Sequence, residues 1–98
     1  MTYRVIFSDD ARKEWNKLGA TVREQLTKVL KRRAENPHVP AARLGGVANL
    51  YKIKLRSAGY RLVYEVRDNV LVIFVVGIGR RDEVYPELRR RLDRGLED

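Results

Sequence analysis

The segment Tyr51-Lys52-Ile53-Lys54-Leu55-Arg56-Ser57-Ala58-Gly59-Tyr60-Arg61-Leu62-Val63-Tyr64 concentrates the chain's most reactive side chains. Two stretches of alternating residues flank a short polar turn, a pattern that reads as a β-hairpin. Side chains alternate between the faces of a strand, so Tyr51, Ile53 and Leu55 point one way and Lys52, Lys54 and Arg56 the other. In the next strand Tyr60, Leu62 and Tyr64 share a face, with Arg61 opposite. Closing the hairpin around Ser57-Ala58 sets Leu55 across from Tyr60 and Ile53 across from Leu62, which puts Lys54 directly across from Arg61. A slip of one residue would turn the apolar rows to opposite faces, so this register is strongly specified. Like charges facing each other on a sheet cost up to about 1 kcal/mol per pair. A solvated face of a basic protein would look the same in composition. The concentration is what favours a site: from Lys52 to Arg81 there are seven basic residues against two acidic ones, Glu65 and Asp68.

Such a cluster suits phosphodiester chemistry. Cleavage by an internal 2′-hydroxyl needs a base for the hydroxyl proton, cations for the charge growing on phosphate, and an acid for the leaving 5′-oxygen. The single histidine, His38, sits between Pro37 and Pro40 in an expected loop, so lysine is left to serve as the base. Neighbouring positive charges disfavour the ammonium form and make this reasonable. Arginine keeps its proton but grips phosphate at two points. Metal-dependent cleavage would need converging carboxylates. Glu65, Asp68, Asp82 and Glu83 are spread over a strand, a turn and a helix start without ligand spacing, so neither a metal nor another cofactor is expected.

The whole chain agrees with a polyanion as partner. Its 98 residues carry a net charge of +8 and a pI near 10.2, and nucleic acid is the commonest target of such a surplus. The length predicts one domain, residues 1–98, and 44% apolar residues are enough for one modest core. Without cysteine there is neither a disulfide framework nor a thiolate metal site, which suits a reducing cytoplasm. No signal peptide is visible in Met1-Thr2-Tyr3-Arg4, and the longest apolar run, Val70 to Ile78, is about half of a membrane span. A soluble protein with no membrane partner is expected.

The elements that must hold the cluster follow from periodicity. Thr2 to Phe7 reads as a strand. Ser8 or Asp9 then caps a helix whose apolar face is Ala11, Trp15 and Leu18, stopped by Gly19. Thr21 and Glu24 have capping-box spacing and would open a second helix with Val22, Leu26, Val29 and Leu30 inward. Asn36-Pro37 ends it. Gly45-Gly46, in the loop from Pro37 to Asn49, reads as a turn. Leu50 to Arg56, Tyr60 to Arg67 and Val70 to Ile78 are the remaining strands, the last apolar enough to be central and covered on both faces. Asp82 to Arg94 forms a final helix with Val84, Leu88 and Leu92 inward. The order β-α-α-β-β-β-α predicts an α+β domain: a mostly antiparallel four-stranded sheet with an N-terminal helical hairpin and a C-terminal helix.

These same residues carry a family resemblance. Lys13-Glu14-Trp15-Asn16-Lys17-Leu18-Gly19, Thr21-Val22-Arg23-Glu24-Gln25-Leu26, the block from Tyr51 to Tyr64 and Glu83-Val84-Tyr85 resemble the RelE toxins of bacterial type II toxin–antitoxin systems, over roughly residues 2 to 90. The resemblance implies a RelE-like fold related to that of microbial ribonucleases. It also implies an enzyme that cuts messenger RNA in the ribosomal A site by 2′-hydroxyl attack, with the 16S rRNA of the 30S subunit around it. Carried over by motif, Lys52 and Lys54 take the base and phosphate-binding roles, Lys54 being the better base. Arg61 stabilises the transition state, Arg81 sits near the leaving group, and Tyr85 stacks on or orients the nucleotide. Arg56 and Arg80 would bind RNA. Arg80 and Arg81 would face opposite ways on a continuing strand, and the preference for Arg81 comes from the resemblance alone. A RelB-like antitoxin is implied as partner, one that neutralises the basic face or displaces the last helix.

Two other readings stay open. ParE-like toxins share the superfamily fold but block DNA gyrase, and they generally lack the lysine–arginine constellation. A non-catalytic RNA- or ribosome-binding module would owe everything to charge, and its affinity would fall steeply with salt. Lys54→Arg separates catalysis from charge. Catalysis predicts a loss of cleavage of about a hundredfold or more with binding mostly kept; a binding module predicts little change in any activity.

Overall fold

A computed structural model of the chain describes residues 2–45 and 48–95. The elements are β1 (Arg4–Phe7), α1 (Asp9–Asn16), α2 (Ala20–Glu35), β2 (Leu50–Leu55), β3 (Tyr60–Arg67), β4 (Val72–Arg80) and α3 (Arg81–Asp93). Met1 and Gly46, the second residue of the expected glycine turn, lie outside the described residues.

Local chemistry explains the element ends. Ser8 is buried, and its Oγ accepts the Ala11 N–H at 3.1 Å to cap α1. Asp9 and Asp10 in the first turn suit the positive end of the helix dipole. The second helix departs from the expected capping box. It begins at Ala20, with Gly19 as its cap and no side chain bonded there. Gly19 is in extended backbone, Ala20 is a strong helix former, and the Arg23 N–H closes the first turn on the Gly19 carbonyl at 3.1 Å. Thr21 therefore lies inside the helix. Asn36, ahead of Pro37, leaves helical geometry at φ −149°, ψ 81° and ends α2 where expected.

The sheet has strand order β1-β4-β3-β2. The β2–β3 and β3–β4 pairs are antiparallel, while β1 adds to the far side of β4 in parallel. The sheet is thus mixed, its parallel pair bridged by everything between β1 and β4. The hairpin register is the expected one, with Leu55 opposite Tyr60, Lys54 opposite Arg61 and Ile53 opposite Leu62. Arg56, assigned to a strand by its pattern, falls instead in a tight 3-10 turn that ends on Gly59 at φ +70°, a conformation glycine adopts without penalty. Val70 likewise leaves the expected last strand for an exposed turn, and β4 runs from Val72 on to Arg80.

Both faces of β4 are covered, as its near-continuous apolar run demands. On one face Ile73, Val75 and Ile78 join Tyr51, Ile53, Leu62 and Tyr64 under residues of α1 and α2 such as Ala11, Leu26 and Leu30. On the other, Val72, Phe74 and Val76 pack with Leu50, Val63 and Leu88 of α3. A β-bulge opposite Val63/Tyr64 makes this double use possible. Val63 pairs with Gly77 and Tyr64 with Val75, which leaves Val76 as the extra residue. The extra residue shifts the alternation, so Ile78 faces α1 and α2 while Gly77 faces α3. A Cβ on Gly77 would stand 3.4 Å from Arg91 Nη1 and 3.5 Å from Val84 Cγ2. Gly77→Val, whose branches need more space than that, is expected to cost about 1–3 kcal/mol in urea unfolding; an unchanged midpoint would show that α3 is not seated this closely.

Candidate active site

The sheet face under α3 is apolar only along part of its length. Toward the hairpin turn it becomes an open cleft of about 730 Å³, lined by Lys52, Lys54, Arg56, Arg61, Arg81 and Tyr85 together with Leu44 and Gly59. Each wall has its own supplier. Lys52 and Lys54 come from β2, Arg56 from the turn, and Arg61 from β3. Arg81 and Tyr85, four apart, look out from one face of α3. Leu44 reaches the cleft because its N–H bonds to the Leu50 carbonyl at 2.9 Å, continuing a bridge between Arg43 and Tyr51 beside β2. Leu44 and Gly59 are the lining residues that sequence reasoning missed. A lone leucine in a long loop carries no periodic signal, and Gly59 was legible only as a turn.

The chain decides between the two adjacent arginines at the strand-to-helix junction. Arg80 ends β4 as the cap of α3, and its guanidinium lies 5.5 Å from the ring centre of Tyr60, on the face away from the cleft. Arg81 begins the helix, its N–H bonded to the Gly59 carbonyl at 3.3 Å, and its side chain enters the cleft. So the structure brings together six of the seven candidates and leaves Arg80 outside. His38 is also elsewhere. Its Nδ1 is 2.9 Å from the Tyr51 hydroxyl and its Nε2 2.9 Å from Asp68 Oδ1.

Charge in the cleft is uncompensated. Among the described residues no carboxylate lies within salt-bridge distance of Lys52, Lys54, Arg56, Arg61 or Arg81. The nearby acids are engaged: Glu65 pairs with Arg67 at 2.6 Å, and Asp68 accepts from Tyr3 and faces His38. No group of three or more acidic or histidine side chains among the described residues is arranged to hold a metal ion. Backbone contacts hold the cations in place. Arg61 Nη1 donates to the Tyr60 carbonyl at 3.0 Å. From the opposite face, Arg33 donates to the Lys52 carbonyl at 3.2 Å and to the Tyr64 hydroxyl at 2.9 Å.

This crowding acts on Lys54. The charge of Lys52, then partial desolvation, then Arg56, Arg61 and Arg81 hold its ammonium below the usual lysine range. An exposed amine with a depressed pKa, surrounded by permanent cations, can accept a proton while its neighbours hold an anion.

The chain has relatives of known type. The family described as "ParE toxin of type II toxin-antitoxin system, parDE" matches residues 5–85. The mRNA interferase toxin RelE of Escherichia coli K12 is 51% identical over 94 residues, covering 94% of this chain and 99% of that protein. The chain belongs to the RelE/ParE family of type II toxins. A double arginine-to-alanine variant of E. coli RelE in the free state superposes with a TM-score of 0.88 at 46% identity, spanning 98% of this chain and all of that one. The toxin in the intact E. coli RelBE toxin–antitoxin complex is 52% identical over 80% of this chain and 95% of its own, with a TM-score of 0.78. The α+β fold, with three helices on a four-stranded sheet, is the RelE fold.

The depressed Lys54 pKa has a measurable sign. Between the folded and unfolded values the unfolded toxin binds more protons, so this site's contribution to stability rises as pH climbs through the folded pKa. Titrating the Lys54 side chain by NMR is expected to give a midpoint below the ordinary lysine value. Lys52→Met, which removes the largest cause, should move that midpoint upward; a midpoint indifferent to Lys52 would contradict the electrostatic account.

Proposed function

We propose that this toxin is an mRNA interferase, a metal-independent endoribonuclease that cuts messenger RNA in the A site of the ribosome and so stops translation. One observation carries the reading: Lys54 stands exposed among Lys52, Arg61 and Arg81, its pKa lowered and no carboxylate of the described residues beside it. The name and 51% identity of the E. coli mRNA interferase support it.

In this reading Lys54, as the free amine, takes the proton from the 2′-hydroxyl. The 2′-oxygen bonds to the adjacent phosphorus and the bond to the 5′-oxygen breaks, leaving a 2′,3′-cyclic phosphate and a 5′-hydroxyl. Arg61 and Lys52 hold the phosphate oxygens while negative charge grows on them. Arg81 stands by the departing 5′-oxygen and stabilises the charge on it until solvent water protonates it. Tyr85, half-buried and one helical turn from Arg81, stacks on a base exposed in single-stranded message. Arg56 contacts RNA at the mouth of the cleft, and Arg80, outside it, would reach only backbone beyond the cut.

The cleft is open and poor in acid–base groups, so orientation of the message must come from the ribosome, with the 16S rRNA of the 30S subunit as the surrounding surface. That partner implies action in the cytoplasm. No helix among the described residues is long and apolar enough to cross a membrane. E. coli RelE occurs in complex with the antitoxin RelB, and a RelB-like antitoxin is the proposed partner here, its acidic side chains answering the cationic cleft.

The match to the ParE family keeps gyrase inhibition as the competing activity. Purified toxin mixed with message-programmed ribosomes is expected to yield fragments with 5′-hydroxyl ends. Message without ribosomes should be cut slower by roughly a hundredfold or more. Intact message together with blocked gyrase supercoiling would replace this reading by the competing one.

A further inference from the structure

Past the end of β1 the outer edge of β4 has no strand of the described residues beside it. The parallel register stops at Phe7 opposite Val75, and the Ser8 N–H closes it on the Val75 carbonyl at 2.9 Å before the chain turns into α1. Two side chains then bond the groups that a longer β1 would have taken. Glu14 of α1 accepts the Ile78 N–H at 3.0 Å, and Arg91 of α3 donates to the Val76 carbonyl at 2.8 Å. The two also join each other at two points, Arg91 Nη1 to Glu14 Oε1 at 3.1 Å and Nη2 to Oε2 at 2.9 Å. Glu87, at 3.2 Å, and Asp10, at 3.6 Å, complete the surroundings of Arg91.

Only 11% of the Arg91 side chain is exposed. A charge this enclosed fixes its helix firmly, because moving it would strand a desolvated guanidinium and two strand groups at once. The apolar side of α3 offers less direction: Val84 and Leu88 are buried, but apolar contact tolerates sliding and rotation. Arg91 sits over Gly77, whose missing Cβ leaves the space. Tyr85 and Arg81 lie six and ten residues back along the same helix, roughly 9 and 15 Å along its axis. A small turn of α3 about its axis would therefore take both out of the cleft.

We propose that Glu14 and Arg91 form a positioning pair for RNA cleavage: by standing in for the missing length of β1, they set the rotation of α3 and so aim Tyr85 and Arg81 at the substrate. Neither residue lines the cleft. The proposal rests on the catalytic reading of the cleft, and the test separates the two. Arg91→Met removes the charge and keeps most of the stem, while Glu14→Gln keeps an acceptor for the Ile78 N–H in nearly the same volume. Single-turnover cleavage on programmed ribosomes, scaled to the folded fraction measured by circular dichroism, is expected to fall roughly ten- to a hundredfold for Arg91→Met, with ribosome binding nearly unchanged. In an Arg81→Ala/Tyr85→Ala background the same substitution should cost almost nothing more, since the groups it aims are gone. Both variants should also shift the Tyr85 ring resonances in NMR spectra of the free toxin. Full activity in the Arg81→Ala/Tyr85→Ala toxin would refute the catalytic reading itself. If that toxin is impaired but Arg91→Met costs an equal factor in both backgrounds, or costs nothing, or leaves the Tyr85 resonances where they were, the positioning proposal alone is overturned.

Discussion

Burial of Tyr51, Ile53, Leu62 and Tyr64 beneath α1 and α2 holds the β2–β3 hairpin in one register, and the charges on its other face take their places from that register. Three of these side chains are almost wholly inaccessible and Tyr51 is nearly so. Sliding the hairpin by one residue would expose all of them, a loss far larger than the repulsion between Lys54 and Arg61. The apolar face thus compels the cations on the opposite face to stay crowded, and the crowding lowers the Lys54 pKa. Packing on one side of the sheet sets the electrostatics of the other.

The second wall of the cleft is held differently. α3 carries Pro86 in its second turn and meets the sheet through few apolar side chains. Its direction is set by polar contacts at both ends, the Arg81 N–H on Gly59 and Arg91 on the open edge of β4. The bulge at Val76 serves both purposes. It turns Ile78 into the main core, and it presents Gly77 to α3 so that the helix can approach closely. A fixed hairpin and a pinned helix leave between them a concave surface whose positive charge has no counter-ions among the described residues. Substrate phosphate, or the acidic side chains of a partner, can supply them.

Much of this was legible in the residues themselves. Alternation along two short strands determined which cations share a face and which pair stands opposed, because side-chain period and hairpin closure are local properties. The same locality made the helix after Ser8, the stop before Pro37 and the buried character of β4 readable. The Thr21 capping box failed because capping-box spacing is only a pattern, and Gly19-Ala20 offered the helix an earlier start. Arg80 and Arg81 could not be separated by pattern, since their directions depend on where strand becomes helix, a boundary set by the bond from Arg81 to the distant Gly59.

By itself, then, the sequence determined most of the secondary elements, the hairpin register and the crowding of lysines and arginines on one face, all of which arise from neighbours along the chain. Tertiary structure alone decided that β1 adds to β4 in parallel, that a bulge reverses the faces of β4, that Leu44 enters the cleft and Arg80 leaves it, and that Glu14 meets Arg91 from 77 residues away. The reason is physical: these outcomes depend on which backbone groups remain unpaired once the sheet has formed, and that is known only when every strand has found its partner.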